Sequence, residues 1–97
     1  MSPDVKVTAT RSDGQTITDR LSALGMTSLA YHAWPWSPFA ELVAGEELTN
    51  LTEDYETHTK PVKIWLRVRV KETRPVGDGR SFVGFESVNE GPAALPA

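Results

Sequence analysis

Apolar and polar residues alternate along much of the chain, and this alternation predicts β-strands. Val5, Val7 and Ala9 alternate with polar neighbours, which is typical of a strand with one buried face. Further strands are predicted at 16–21, between 21 and 31, at 46–51, at 62–70 and at 82–88. In the strand at 62–70 every even-numbered residue is aliphatic, so we expect these side chains to face the core. The odd-numbered residues then form an exposed cationic face, consisting of Lys63, Trp65, Arg67, Arg69 and Lys71.

Two glycine-containing breaks predict hairpin loops. They are Asp13-Gly14 and Gly77-Asp78-Gly79, where glycine accepts the positive φ that tight hairpin turns require. Short antiparallel strands without a long helix to cover them must close on themselves to bury one face and hide their edges. We therefore predict an all-β domain at 5–89, a small antiparallel barrel of five to seven strands. Residues 1–4 are predicted to be a short tail, and residues 90–97 a flexible one.

One short segment departs from the strand pattern and predicts a helical turn. Ser37, Pro38 and Gly45 fit the N-cap, the first helical position and the C-terminal end of a short helix. We predict one or two turns over 38–44. The expected inward face consists of Phe39, Leu42 and Val43.

Composition narrows the possible functions. The chain of 97 residues is long enough for one domain, and its net charge of −3 argues against a general nucleic-acid binder, which needs a basic surface. We expect no membrane insertion, because no apolar run approaches the ~18–20 residues of a membrane span. Without cysteine or an apparent secretory segment, the sequence favours a cytoplasmic protein.

Charged residues are divided between two stretches of the chain. An acidic stretch contains Glu41, Glu46, Glu47, Glu53, Asp54 and Glu56. A basic stretch contains Lys60, Lys63, Arg67, Arg69, Lys71, Arg74 and Arg80. Pairing of opposite charges across neighbouring strands is the favoured interpretation, and a basic sheet face for an anionic ligand is the alternative.

Nothing in the sequence predicts catalysis or a metal site. His32 and His58 are far apart, and neither has the close second ligand that a zinc site needs. The Gly-x-Ser-x-Gly motif of serine hydrolases and the EF-hand calcium pattern are both absent. We therefore expect a non-enzymatic protein without a resident cofactor.

A dense aromatic and proline segment lies between residues 31 and 39. It contains Tyr31, Trp34, Trp36 and Phe39, with prolines at 35 and 38. Two interpretations are equally favoured. The rings could close one end of the barrel, or they could form a partner-binding patch, since tryptophan is a preferred hot-spot residue at interfaces.

Several motifs in order resemble those of PilZ domains. The segment 19–26 is similar to their second-strand motif, Asp/Asn-x-Ser-x-x-Gly, which turns between strands and contacts cyclic di-GMP; here Ser22 and Gly25 match it. Gly45-Glu46-Glu47-Leu48 resembles a strand entry of the family, the segment 60–70 its long basic strand, and the segment 80–86 its closing strand. The resemblance covers about residues 5–89 and implies a six-stranded antiparallel barrel.

Two departures from the family pattern affect the expected ligand. Members that bind cyclic di-GMP carry Arg-x-x-x-Arg just before the first strand, but only Met1-Ser2-Pro3-Asp4 precedes it here. The Asp/Asn position of the second motif is Arg20, with Asp19 displaced by one residue and hence onto the opposite face of the strand. Cyclic di-GMP would therefore lack most of the contacts that the family provides for it.

The resemblance implies a signalling adaptor in the cyclic di-GMP-linked control of bacterial motility, pili, biofilm or exopolysaccharide. Our first hypothesis is that it binds a protein partner, with weak or no nucleotide binding. The candidate partner-binding residues are Tyr31, Trp34, Trp36, Phe39 and Trp65. A second hypothesis is a cyclic di-GMP receptor with a non-standard residue set, namely Arg11, Asp19, Arg20, Ser22, Gly25, Arg67 and Arg69, with Lys63 beside them. A third hypothesis, outside the family, is a small structural barrel that is a subunit of a larger assembly.

Overall fold

Six antiparallel strands form a closed barrel in the computed structural model, which describes residues 4–24, 29–54 and 63–88. The strands are β1 (Asp4–Arg11), β2 (Thr16–Ala23), β3 (Ala30–Ala33), β4 (Glu47–Asp54), β5 (Lys63–Pro75) and β6 (Ser81–Ser87). Their order around the barrel is β1-β2-β3-β6-β5-β4, and β4 pairs with β1 to close it. The prediction of an all-β barrel is confirmed. No helix in the described part of the chain is both long and apolar enough to span a membrane.

The barrel interior is filled by the inward side chains that the alternation predicted on most strands. In β1 and β2 the apolar residues occupy alternate positions and all of them are buried, and β6 buries Val83 and Phe85. The buried apolar core consists of Val5, Val7, Ala9, Ile17, Leu21, Ala23, Leu29, Tyr31, Ala33, Phe39, Leu42, Leu48, Leu51, Trp65, Val68, Val70, Val83 and Phe85. Val88, predicted to belong to the closing strand, lies just beyond β6 and is exposed. The predicted tail at 90–97 lies outside the described residues.

Both predicted hairpins are present and share one geometry. In the first, the N–H of Gly14 donates to the carbonyl of Arg11, and the N–H of Arg11 donates to the carbonyl of Gln15. In the second, Gly79 and Val76 make the equivalent bonds. Each glycine has a positive φ, 91° and 88°, which places it at the left-handed position of a three-residue loop. The loops are therefore one residue longer than a two-residue Asp-Gly turn.

The predicted helix is shorter than expected. It is a single 3₁₀ turn, η1, at Pro38–Glu41, and the N–H of Phe39 donates to the Oγ of its N-cap Ser37. Leu42 is already extended, because the chain that follows pairs with β5: Gly45 and Glu46 exchange backbone hydrogen bonds with Val70. Phe39 and Leu42 are buried as predicted, but Val43 is 63% exposed, so its predicted inward position is wrong.

The alternation predicted for β5 fails at one point. Leu66 is 55% exposed, whereas Trp65 is 3% exposed and lies inside the barrel, paired with Leu51 of β4. Opposite Leu66, β4 also has two consecutive outward residues and carries Asn50 at a φ of 53°. At this point two residues of β4 face a single residue of β1, its other neighbour. This extra residue in β4 is a β-bulge. The bulge shifts the phase of β4, and β5 follows it.

Candidate functional site

Two exposed tryptophans form the most distinctive surface feature of the barrel. The N–H of Ser37 donates to the carbonyl of Trp34 at 2.9 Å, closing a turn in which Pro35 occupies the position that proline prefers. The turn brings the two indole rings together, with centroids 5.4 Å apart and planes 1° from parallel. Trp34 is 44% exposed and Trp36 is 76% exposed. Their rings therefore do not plug the barrel end, which excludes the first interpretation of this segment for both tryptophans.

Arg80 joins the tryptophans from the β5–β6 hairpin. Its guanidinium carbon lies 5.4 Å from the centroid of the Trp34 ring. Its Nε donates to Oδ2 of Asp78 at 2.8 Å, and its Nη1 donates to Oγ of Ser22 at 3.4 Å. The backbone N–H of Arg80, helped by its guanidinium, holds the pKa of Asp78 below the ordinary value for this carboxyl. We call Trp34, Trp36 and Arg80 the tryptophan cluster.

A row of outward side chains crosses the barrel wall beside this cluster. Ser22 of β2 lies opposite His32 of β3, which lies opposite Phe82 of β6, which lies opposite Arg74 of β5. The His32 and Phe82 rings meet edge to face at 6.4 Å, and the Arg74 guanidinium lies 4.7 Å from the Phe82 centroid. On the other side, Oγ of Ser22 donates to Oδ1 of Asp4 at 3.4 Å. Ser22 thus links the row to the tryptophan cluster.

The arginines proposed for a nucleotide are not brought together. Nε of Arg11 donates to Oε2 of Glu46 at 2.7 Å. Arg67 and Arg69 lie on β5, across the closed barrel from β2, so they are remote from Ser22. Both point toward Glu47 on β4, at 4.0 and 3.6 Å, and Arg69 also contacts a carboxylate of β6. The favoured interpretation of the charge pattern, pairing across neighbouring strands, is thus confirmed for these side chains.

The strand that carries the second-motif residues shows the predicted facing of its side chains. Arg20 and Ser22 share the outer face of β2, whereas Asp19 falls in phase with the core residues and is half-buried. The Oδ1 of Asp19 accepts a hydrogen bond from the backbone N–H of Arg20 at 2.8 Å, so this oxygen is engaged by the adjacent residue. Gly25 and the side chain of Lys63 lie outside the described residues.

Three of the residues predicted to bind a partner are core residues instead. Tyr31 and Phe39 are fully buried, and Trp65 is buried because of the phase shift of β5. None of the three can offer its ring to a partner without opening the barrel. Of the five residues predicted to bind a partner, only Trp34 and Trp36 are therefore exposed.

A buried polar pair inside the barrel was missed by the sequence analysis. The hydroxyl of Tyr31 donates to Oε2 of Glu53, and Glu53 is 1% exposed. In the sequence, Glu53 looks like one member of the acidic stretch, and it lies two residues beyond the strand predicted at 46–51. β4 in fact continues to Asp54, and the strand carries Glu53 into the interior.

Arg80 is the functional candidate that sequence reasoning missed. The sequence places it only in the basic stretch, and nothing local connects it to Trp34 or to Ser22, which lies 58 residues earlier. Its position directly after a Gly-Asp-Gly hairpin was the available signal, because the aspartate of such a loop is placed to bind the next residues. Within the described ranges, no group of three or more histidine, aspartate or glutamate residues is placed to hold a metal ion.

No family model, curated protein or solved structure matches this chain.

Proposed function

We propose that this chain is a non-enzymatic, cytoplasmic adaptor of the PilZ type that acts in cyclic di-GMP-linked bacterial regulation by binding a protein partner. The exposed, parallel Trp34–Trp36 pair carries the proposal. A ring that is 76% exposed stabilises the isolated fold little, yet it offers a large apolar area with few torsions to a partner. The closed six-stranded barrel agrees with the architecture that the resemblance implies.

The surroundings of the pair favour a preformed binding surface. Pro35 lies inside the turn, and Arg80 is fixed beside Trp34 by Asp78 and Ser22. Preorganisation of this kind lowers the conformational entropy that is lost when a partner docks. Tryptophan and arginine are among the residue types that most often dominate the binding energy of an interface.

Replacing Trp36 by alanine is expected to weaken partner binding strongly while leaving the melting temperature nearly unchanged. Immobilised wild-type protein and Trp36→Ala would be compared for the proteins they retain from an extract of the source cells, with quantitative mass spectrometry as the readout. We expect the affinity for a retained protein to fall by about 30-fold or more with Trp36→Ala, since hot-spot truncations cost about 2 kcal/mol or more.

Leu66→Ala is the matched control for this experiment. It also removes an exposed large apolar side chain, one that is 55% exposed, but from β5 instead of the tryptophan cluster. This variant should retain the same proteins as the wild type. Identical retention by the wild type, Trp36→Ala and Leu66→Ala would contradict the proposal.

A second candidate function is a cyclic di-GMP receptor, and one contact favours it. Arg80 donates to Ser22, so the structure supplies an arginine beside the serine that matches the second motif of the family. Arginine suits phosphate oxygens because its planar guanidinium donates in a fork. This arginine is already engaged by Asp78 at 2.8 Å, however, and Arg67 and Arg69 are committed elsewhere. Protein binding therefore remains the preferred proposal.

A further inference from the structure

The geometry of the tryptophan pair limits how a ligand can approach it. A planar group inserted between two rings needs their planes about 7 Å apart, twice the contact distance of carbon atoms. The centroids of Trp34 and Trp36 are only 5.4 Å apart with parallel planes, so the rings already contact each other. Because Trp36 remains 76% exposed, its outer face is the surface open to a partner.

The cluster already contains one example of the contact that such a face makes. The guanidinium of Arg80 lies over the Trp34 ring at 5.4 Å. The ring face of tryptophan carries negative electrostatic potential and attracts cations more strongly than that of tyrosine or phenylalanine. A guanidinium is planar as well as charged, so it stacks on an indole as a lysine ammonium cannot.

The charges linked to the cluster favour a cation over an anion. Asp78 neutralises Arg80, and Ser22 connects Arg80 to a second carboxylate, that of Asp4. Glu41 ends the 3₁₀ turn that follows Trp36, and among the described residues it forms no ion pair. The whole chain carries a net charge of −3. These carboxylates and the net negative charge favour a cationic partner over an acidic one at this surface.

We propose that the outer face of Trp36 binds the guanidinium of an arginine in an exposed segment of the partner protein. The arginine would stack on Trp36 as Arg80 does on Trp34, next to the carboxylates of the same surface. This inference rests on the proposed function, because it names the chemistry of the partner that the tryptophan cluster binds.

Titration of the full chain with designed peptides tests the inference. The probe is a blocked Gly-Ser-Arg-Gly-Arg-Ser-Gly peptide, and the readout is the set of indole N–H resonances in nitrogen-15 NMR spectra. We expect a saturable shift of the Trp36 resonance. Trp65, which is buried in the barrel, should not shift and serves as the internal reference.

Two matched peptides distinguish binding that depends on the positive charge from non-specific binding to an exposed aromatic ring. In one, citrulline replaces arginine and keeps the planar shape without the charge; in the other, glutamate replaces it. Binding of the arginine peptide should be about 2–5-fold tighter per arginine than that of the citrulline peptide, the range of an exposed cation–π contact. The glutamate peptide should bind more weakly still.

Several outcomes would overturn the inference. Equal binding of the arginine and citrulline peptides, preference for the glutamate peptide, or no shift of Trp36 at any concentration would each do so. A Trp36 resonance that moves with protein concentration alone would instead assign the surface to a second copy of this chain. If these peptides fail while Trp36→Ala still loses a captured protein, the proposed function stands and the arginine inference falls.

Discussion

Replacing Trp65 by alanine is expected to lower the free energy of unfolding by about 3–5 kcal/mol, the usual cost of deleting a large buried aromatic side chain. The ring is 3% exposed and fills the barrel interior opposite Leu51. The strands on either side are fixed by the closed barrel, so they cannot collapse far into the cavity that remains. Urea unfolding followed by far-ultraviolet circular dichroism measures the loss.

The neighbouring variant Leu66→Ala makes this a test of register. The sequence pattern predicts that Leu66 is the core residue and Trp65 the surface residue, whereas the structure reverses the two. Leu66→Ala should therefore cost less than about 1 kcal/mol, because little apolar area leaves water at a half-exposed site. A larger loss for Leu66→Ala than for Trp65→Ala would restore the simple alternation and show that the bulge shift in β4 and β5 is wrong.

Replacing Tyr31 by phenylalanine is expected to cost about 1–3 kcal/mol, although it removes a single oxygen atom. The ring, which packs edge to face on Phe85 at 6.1 Å, is retained. The lost hydroxyl donates to Glu53, a carboxyl group that is 1% exposed. A buried polar group that has lost its hydrogen bond still carries the free-energy cost of its removal from water. This uncompensated cost is the source of the expected loss of stability.

A double-mutant cycle assigns this loss to the Tyr31–Glu53 contact. Tyr31→Phe, Glu53→Gln and the double variant would be compared by equilibrium unfolding. Groups in direct contact show coupling energies of about 0.5–3 kcal/mol, so the double variant should lose less stability than the two single losses added together. Strict additivity would show that the two side chains do not interact inside the barrel.

The parts of the fold that were predictable depend on residues close in sequence. Alternation in β1 and in the first half of β2 identified buried faces directly. The Asp-Gly sequences at 13–14 and 78–79 marked both hairpins, because the glycine conformation and the aspartate hydrogen bonds are local. The closed barrel followed from the number of short strands and the lack of a long helix to cover them.

The phase of β5 was not predictable from its own residues. Its alternation from 62 to 70 is complete in the sequence, and it fails because of a bulge in β4 near Asn50, a strand that is distant in sequence. The same limit applies to Glu53, whose burial depends on Tyr31, a residue 22 positions earlier. Where packing between strands that are distant in sequence determines which side chains are buried, the local alternation assigns those side chains to the wrong face of the strand.

The candidate site was predictable only in part. The density of tryptophan and proline between residues 34 and 38 drew attention to the segment that forms the tryptophan cluster, but the sequence left a barrel plug and an exposed patch equally favoured. Exposure of the two rings decides between them. Arg80 reaches the site because β6 pairs with β3, a long-range pairing that no spacing along the chain reveals.

A calorimetric titration of the intact chain with cyclic di-GMP tests most directly the claim that this barrel works through a protein partner and not through nucleotide. We predict no binding heat at ~100 μM ligand, which corresponds to a binding free energy weaker than about 5.5 kcal/mol. Saturable binding in the micromolar range would contradict the account. Loss of that binding in Arg80→Ala would then assign it to the Ser22–Arg80 contact and establish the receptor in place of the adaptor.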